Sequence, residues 1–252
     1  MKKNKIKIRI KSNIIIIFGI LCLVVAIYST YKIIMWKQNV DRNNTIKEEI
    51  NELVEIDKKN NMKDKYNVDF KSLKEINSDV VAWIKVNGTN IEYPVVKGKD
   101  NNYYLKHNLK KEYNNAGWIF ADYKNKFDGT DRNIVIFGHN TKDGSMFGSL
   151  KNVLESDWQK EVKNTIIVMV NENEPIIYQV FSTYSIKPED YYITTEFKDG
   201  EDFSKFIDTI KKRSNHDYNV NVDSSDSVLT LSSCIGDGSK RVVLHAKLIE
   251  NE

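Results

Sequence analysis

The longest apolar run of the chain lies near its start, directly after a basic segment. Eighteen consecutive uncharged residues, Ile14 to Tyr31, follow six Lys or Arg among the first thirteen. About 20 apolar residues cross the ~30 Å hydrocarbon core of a bilayer, and flanking basic residues stay in the cytoplasm. The pattern predicts a cytoplasmic basic tail over 1–13 and a transmembrane signal anchor over 14–36. A cleaved signal peptide is the alternative, although Tyr28-Ser-Thr-Tyr-Lys32 is a poor cleavage site.

Helical periodicity follows in three places. An apolar stripe among the charges of residues 41–64 predicts a stalk helix within an extracellular stalk and linker, 37–65. A short helix is expected over Phe70–Ile76. Residues 201–213 predict an amphipathic helix with acids in its first turn and bases in its last, as the helix dipole favours. Its apolar residues recur at i, i+3, i+4 and i+7: Phe203, Phe206, Ile207 and Ile210.

Between these helices the pattern changes to short β-type runs separated by turn residues such as Asn87-Gly88. Short strands at such spacing are typical of a barrel or a sandwich. The outer domain, 66–252, is therefore expected to be mainly β, with about eight strands and the helix at 201–213 inserted before the last two. The predicted strands are Val80–Val86, Ile91–Val96, Trp118–Ala121, Asn133–Phe137, Thr165–Val170, Ile176–Tyr184, Val228–Ser233 and Arg241–Ile249.

Charge divides the chain in the same way. The 38 Lys and Arg against 35 Asp and Glu give a formal charge of +3. Eight of the bases and none of the acids lie in residues 1–40, which leaves 30 bases against 35 acids, a net charge of −5, for the rest. Because the outer part is mildly acidic, we expect no nucleic-acid partner. With 40% hydrophobic residues and three Pro, extensive disorder is disfavoured.

The two cysteines lie in different parts of this topology. Cys22 belongs to the apolar block, so Cys234 is the one thiol outside the membrane. It is an apolar filler, an intermolecular link or a reactive thiol. Period-two alternation sets Thr230, Ser232 and Cys234 on one face of a strand, with the leucines on the other. A filler would more naturally share the leucine face, so this pattern favours a reactive thiol.

A thiol needs a proton acceptor to become a nucleophile, and histidine is the usual one. His107 and His216 lie in polar, loop-like surroundings. His245 lies within the last strand and is either a structural histidine or a partner of the thiol. His139 directly follows an apolar strand, where loops hold functional groups on a rigid scaffold. We expect His139 to be the partner of Cys234.

Arg241 opens the strand that follows the cysteine, seven residues after it. A hairpin between the two strands can return its guanidinium to the thiol, although an Arg at a strand start is often only solvated. His, Cys and carboxylates do not cluster in the sequence at the spacing of metal ligands. We therefore expect no metal and no cofactor.

Two stretches resemble the signature of the sortases, the membrane-anchored cysteine transpeptidases of Gram-positive bacteria: Thr230-Leu-Ser-Ser-Cys234 followed by Arg241, and Phe137-Gly-His-Asn140. The resemblance covers roughly residues 66–250, and Ser233 stands where the family usually has Thr. The resemblance is strongest to the class B enzymes of this family. The stretches that carry this are Asn77-Ser-Asp-Val-Val-Ala-Trp-Ile84, Asn87-Gly-Thr-Asn90, Tyr93-Pro-Val-Val96, Asp100-Asn-Asn-Tyr-Tyr-Leu105 and Gly138-His-Asn-Thr-Lys-Asp-Gly-Ser-Met-Phe-Gly148.

The resemblance implies a closed sortase-type β-barrel with N-terminal helices and with the inserted helix before the strand that bears the cysteine. It also implies which residues act. The implied catalytic residues are Cys234, His139 and Arg241, and the implied substrate-binding residues are Ser232, Ser233, Asn140 and Tyr192.

The implied reaction is a transpeptidation. Cys234 cleaves a C-terminal sorting signal of a surface protein after Thr, and an amine of a peptidoglycan precursor resolves the thioester. The signal would be NPxTN-like or xPxTG-like, and we expect residues 182–200 to select it. Two alternatives stay open: an extracellular cysteine peptidase that hydrolyses the same acyl-enzyme, and a non-enzymatic anchored β-barrel binding module.

Overall fold

A computed structural model of the chain describes residues 2–56, 66–234 and 239–249, with side chains over 14–54, 66–233 and 239–249. Contacts divide the chain into two units, and the boundary along the sequence lies between Arg42 and Asn43. The first unit is helical and belongs to α1 (Lys2–Asn51). From Ile14 onward α1 contains a window with a mean hydropathy of 2.5 and no buried residues, and this helix is long and apolar enough to span a membrane.

The second unit is a closed barrel of eight strands, ordered β10-β8-β7-β3-β4-β5-β6-β9. This confirms the predicted fold class, and each predicted run forms a strand with ends shifted by at most two residues. The strands are β3 (Val80–Val86), β4 (Glu92–Val96), β5 (Phe120–Ala121), β6 (Asn133–His139), β7 (Ile166–Val170), β8 (Pro175–Ile186), β9 (Val228–Cys234) and β10 (Arg241–Leu248).

Among the described strands, two neighbouring pairs run parallel, β4 with β5 and β6 with β9, and the other pairs of the barrel are antiparallel. A parallel neighbour requires a crossover connection. The crossover from β6 to β9 is long, because it carries β7, β8 and α4 (Gly200–Lys212). As a result, the carboxyl ends of β6 and β9 lie side by side at the same end of the barrel.

The two faces of β9 enter different hydrophobic clusters. Leu229 and Leu231 lie in the main core of the barrel, while Val228 packs in a second cluster with Phe203 and Phe206 of α4. The alternation predicted for this strand is therefore observed. Helix α4 begins after Asp199, whose side chain accepts a hydrogen bond from the backbone of Asp202. Helix α4 therefore packs on the face of β9 that carries Val228, outside the main core of the barrel.

The N-terminal part of the second unit differs from the expected stalk. Helix α1 ends at Asn51 instead of continuing toward residue 64, and β1 (Val54–Ile56) then pairs antiparallel with β2 (Tyr66–Val68). Residues 57–65 lie outside the described residues. Ile46 and Ile50 of the predicted stripe are buried in the main core, so these last turns of α1 pack against the barrel. Helix α2 (Phe70–Ile76) forms where it was predicted.

Candidate active site

The parallel register of β6 and β9 pairs His139 with Cys234 at one end of the barrel. Neighbouring strands lie about 4.8 Å apart, and register partners lie on the same face of a sheet. The backbone therefore brings together two residues that are 95 positions apart in sequence. The side chain of Cys234 and residues 235–238 lie outside the described residues.

The ring of His139 is oriented by a backbone carbonyl. Its Nε2 lies 2.8 Å from the carbonyl oxygen of Leu105. A carbonyl can only accept a hydrogen bond, so Nε2 carries the proton of the neutral ring, and Nδ1 keeps the lone pair. Burial lowers the pKa of His139, and the bond to Leu105 opposes this shift in part. The ring is thus neutral near pH 7, with Nδ1 as its basic atom.

A glycine forms one wall of the histidine site. Gly117 adopts a left-handed φ of +57°, and a Cβ there would lie 2.9 Å from Cδ2 of His139 and 2.4 Å from the carbonyl oxygen of Tyr104. Any side chain at this position would collide with the backbone and displace the ring. Gly117 and Leu105 therefore hold the imidazole between them.

The loop after His139 returns to the same backbone. The amides of Thr141 and Phe147 both donate to the carbonyl of His139, at 3.1 and 2.9 Å. The ring of Phe147 packs directly on Gly138, where a Cβ would lie 2.6 Å from Cγ of that ring. Asn140 is half-buried and forms an isolated bridge with Met146. The carbonyl contacts fix the histidine at the end of its strand, and the role of Asn140 in substrate binding stays a prediction.

Arg241 opens β10, where it pairs with Ile186 of β8 and is half-buried. On its other side, β10 pairs with β9 through Val243 and Ser232. Arg241 and Cys234 each lie two residues beyond this pair, at the same end of the two strands. The hairpin therefore brings the guanidinium-bearing residue to the same end of the barrel as the cysteine and His139.

The remaining predicted substrate-binding residues are engaged inside the protein. Ser232 and Tyr192 are fully buried, and their hydroxyl groups lie 3.1 Å apart. The hydroxyl of Ser233 accepts a hydrogen bond from the backbone amide of Val242, at 2.9 Å, and thereby ties β9 to β10. These contacts place all three residues next to the end of β9, and their role toward a substrate stays a prediction.

His245 is a satisfied core histidine. It is fully buried, and its Nδ1 and Nε2 lie 2.8 Å from Thr230 Oγ1 and Tyr184 Oη. Thr230 donates its own hydroxyl proton to Asn133, so Nδ1 donates to Thr230 and Nε2 accepts from Tyr184. Burial, and next the charge of Arg213, lower the pKa of His245 to about 3.

The other two histidines lie apart from β6 and β9. The ring of His107 stacks on Tyr103, and that of His216 packs against Tyr218. Within the described ranges, no three His, Cys, Asp or Glu side chains are grouped so that they could hold a metal ion.

Two parts of the histidine site were not found from the sequence. Leu105 acts through its carbonyl, which carries no signal in the amino-acid type. Gly117 follows Asn114-Asn-Ala, which indicates a turn, but nothing local reveals that the turn packs against His139. Both depend on contacts between distant segments, and only the fold supplies these contacts.

Comparisons with known proteins point to one family. The model of the sortase domain matches residues 84–249. Sortase B of Staphylococcus aureus is 36% identical over 184 residues, which cover 72% of this chain and 75% of that protein. A structure of the Staphylococcus aureus sortase B–substrate complex superposes with a TM-score of 0.68 at 36% identity, covering 73% of this chain and 85% of that one. A structure of sortase B complexed with triglycine has the same TM-score and identity and covers 73% and 86%.

Proposed function

Since the chain belongs to the sortase family and resembles its class B members, which are cysteine transpeptidases, we propose that Cys234 is the nucleophile of this reaction. Cys234 attacks the carbonyl after the Thr of a C-terminal sorting signal, forms a thioester and passes the acyl group to an amine of a peptidoglycan precursor. The observation that carries the proposal is the parallel pairing of His139 with Cys234 at the end of the barrel.

His139 moves the protons in this scheme. In the active form its imidazolium stands beside the thiolate of Cys234, and after the thiolate attacks, Nδ1 donates its proton to the departing amide nitrogen. In the second half the neutral ring accepts a proton from the incoming amine, which displaces the thiolate. The bond from Nε2 to the carbonyl of Leu105 is retained throughout and strengthens when the ring is positive.

Arg241 supplies a permanent positive charge at the same end of the barrel. A guanidinium stays protonated at any pH of interest and presents several donors in a planar fork. It stabilises the oxyanion of the tetrahedral intermediate or orients the substrate backbone, and it favours the thiolate form of Cys234. Its position level with the end of β9 supports both roles.

The lowered pKa of His139 limits the active fraction. With ordinary pKa values of ~8.5 for a thiol and ~6.5 for an imidazole, under about 1% of molecules carry thiolate and imidazolium together near pH 7. Lowering the histidine pKa reduces that fraction further unless Arg241 lowers the thiol pKa as well. We therefore expect slow turnover with a bell-shaped pH profile, whose two limbs are macroscopic properties of the pair.

The relatives support the proposed classes of substrate. Sortase B of Staphylococcus aureus has been solved as a substrate complex, and a sortase B as a complex with triglycine. Surface proteins with an NPxTN-like or xPxTG-like signal are accordingly the donors, and a peptidoglycan amine is the acceptor. Asn140, Tyr192, Ser232 and Ser233 contribute to the donor site. The apolar helix near the N-terminus anchors the enzyme in the cell membrane, with residues 1–13 in the cytoplasm and the barrel outside.

Intact mass measurement tests the proposal directly. The full chain in detergent micelles is incubated with NPxTN-like and xPxTG-like peptides, with and without triglycine. A thioester adduct on Cys234, and a ligated product that requires the amine, are expected. The Cys234→Ala variant should form neither.

Three results would contradict this scheme. Cleavage by the Cys234→Ala variant would exclude this nucleophile. Hydrolysis that triglycine does not divert would indicate a peptidase. If no peptide forms an adduct and thiol reagents do not modify Cys234, the protein is a binding module.

A further inference from the structure

The last three turns of α1 contain a buried asparagine that faces the barrel. Asn43 is fully buried, and its side-chain amide donates to the carbonyl oxygen of Gly117 at 2.9 Å. Its side-chain oxygen accepts a hydrogen bond from Nδ2 of Asn114 at 2.8 Å. Both polar ends of one side chain thus hold the same turn, 114–117.

The turn itself is tight and leaves little freedom. Gly117 donates its amide to the carbonyl of Asn114 at 3.0 Å, and Ala116 donates to the side-chain oxygen of Asn114 at 2.9 Å. Trp118 then donates to the carbonyl of Tyr104 at 2.9 Å. The position of Gly117 is consequently set by Asn43 on one side and by the backbone of residues 104–105 on the other.

Gly117 in turn packs against the imidazole of His139, because a Cβ at this position would lie 2.9 Å from Cδ2 of the ring. The same 104–105 segment offers the carbonyl that orients Nε2. A shift of the turn toward solvent would open the wall of the histidine site and admit water to the ring. The contacts therefore run from Asn43 through Gly117 to His139 without a gap.

We propose that Asn43 is a positioning residue for His139, and that it acts by fixing the turn 114–117 against the imidazole. The proposal deepens the function given above, because it rests on His139 being the proton-transfer group of the site. Asn43 itself touches neither substrate nor the reacting atoms. Its removal leaves the carbonyl of Gly117 without its buried donor, which favours displacement of the turn.

A second side-chain contact of α1 provides a control for the test of Asn43. Glu49 forms an ion pair with Lys110, and both side chains are substantially exposed, at 50% and 39%. Exposed pairs of this kind contribute little to stability. Glu49→Gln therefore serves as the matched control for a change on the same two helical turns.

The test compares Asn43→Ala with Glu49→Gln in the full chain in detergent micelles. We expect Asn43→Ala to lower kcat about 10- to 100-fold, because displacement of a catalytic group by about 1 Å has effects of this size. KM for the sorting peptide should change less than about twofold, and Glu49→Gln should leave both constants within about twofold of the wild-type values.

The second readout is the titration of His139 without substrate. The chain has four histidines, so carbon-13 labelling of histidine gives few signals, and that of His139 is identified by its loss in His139→Ala. Once water reaches the ring, the pKa should rise from its lowered position toward the ordinary value. The Asn43→Ser variant keeps a shorter hydroxyl group and should show a smaller shift in the same direction, which matters if Asn43→Ala does not fold.

The two readouts separate the two proposals. An unmoved titration in Asn43→Ala and Asn43→Ser would overturn the positioning role, even if kcat fell, and so would an unchanged kcat. Failure of the wild-type chain to form a thioester would instead overturn the transpeptidase scheme. The titration is measured without peptide, so it reports the contact between Asn43, Gly117 and His139 in either case.

Discussion

Two histidines of the same barrel, His139 and His245, have opposite surroundings. His139 ends β6 half-buried, with Nε2 bonded to a carbonyl and no hydrogen bond to Nδ1 among the described residues. His245 is fully buried, with Thr230 on one ring nitrogen and Tyr184 on the other. A buried ring whose two nitrogens both bond to hydroxyl groups of the core is held neutral and suits a structural role, whereas a half-buried ring with one free nitrogen can accept and donate a proton there. The difference supports the proposed catalytic role of His139 and a structural role for His245.

Removing the imidazole of His139 should produce the largest effect on activity. In His139→Ala we expect the rate of acyl transfer to fall about 10³-fold, because general acid–base catalysis contributes roughly 10² to 10⁴. The thermal midpoint should change little, since the ring makes one hydrogen bond and is half-buried. Steady-state transfer to triglycine and a thermal scan of the same sample check both parts. Full activity in this variant would remove the distinction between the two histidines.

The reverse pattern is expected for His245→Ala. The substitution leaves the hydroxyl groups of Thr230 and Tyr184 without their partner and opens a cavity beneath α4, which together cost roughly 3–5 kcal/mol. Transfer activity per folded molecule should stay within about threefold of wild type. Urea unfolding of the full chain in detergent measures the first quantity, with His216→Ala as the control. A large loss of activity in molecules that remain folded would place His245 in the mechanism.

The strands and α4 were predictable because local periodicity determines them. The alternation of Thr230, Leu231 and Ser232 correctly separated the faces of β9. Periodicity does not specify which strands pair, so the parallel pairing of β6 with β9 was not predicted. Strand β1 was missed, since three residues after a charged helix carry too weak a pattern.

The histidine site shows the same limit in more detail. His139 could be chosen from the sequence because it directly follows an apolar strand. The carbonyl of Leu105, the wall at Gly117 and the amide of Asn43 could not, since each acts through a contact across more than 20 positions. Local sequence indicates which residue has the right chemistry, and the tertiary fold determines what orients it.

The dependence of stability on pH should reveal the burial of His245. The pKa of His245 is about 3 in the folded protein, against ~6.5 for an unfolded histidine. Below pH ~6.5 the unfolded chain binds the extra proton, so the stability that His245 contributes is present above this pH and is lost as the pH falls toward 3. The slope should approach about 1.4 kcal/mol per pH unit.

Urea midpoints between about pH 7 and 5 measure this dependence, with His245→Gln compared against His107→Ala. Only His245→Gln should flatten the curve. Carboxylates titrate mainly below this range, and their contribution is the same in both variants. An equal slope in the two variants would show that His245 is not held neutral by burial.

The smallest effect concerns a single hydroxyl group of the His245 site, that of Tyr184. Tyr184→Phe removes the hydroxyl that donates to Nε2, while Nδ1 still donates to Thr230. We expect a loss of about 1–2 kcal/mol, since Nε2 of His245 becomes unpaired, the hydrogen bond from Arg213 to the hydroxyl is lost, and no cavity is opened. Tyr191→Phe is the matched control, because that hydroxyl lies on a 40% exposed residue. Urea unfolding should separate the two variants, while transfer rates stay equal. Equal stabilities would mean that the hydrogen bond from Tyr184 to Nε2 of His245 does not stabilise the fold.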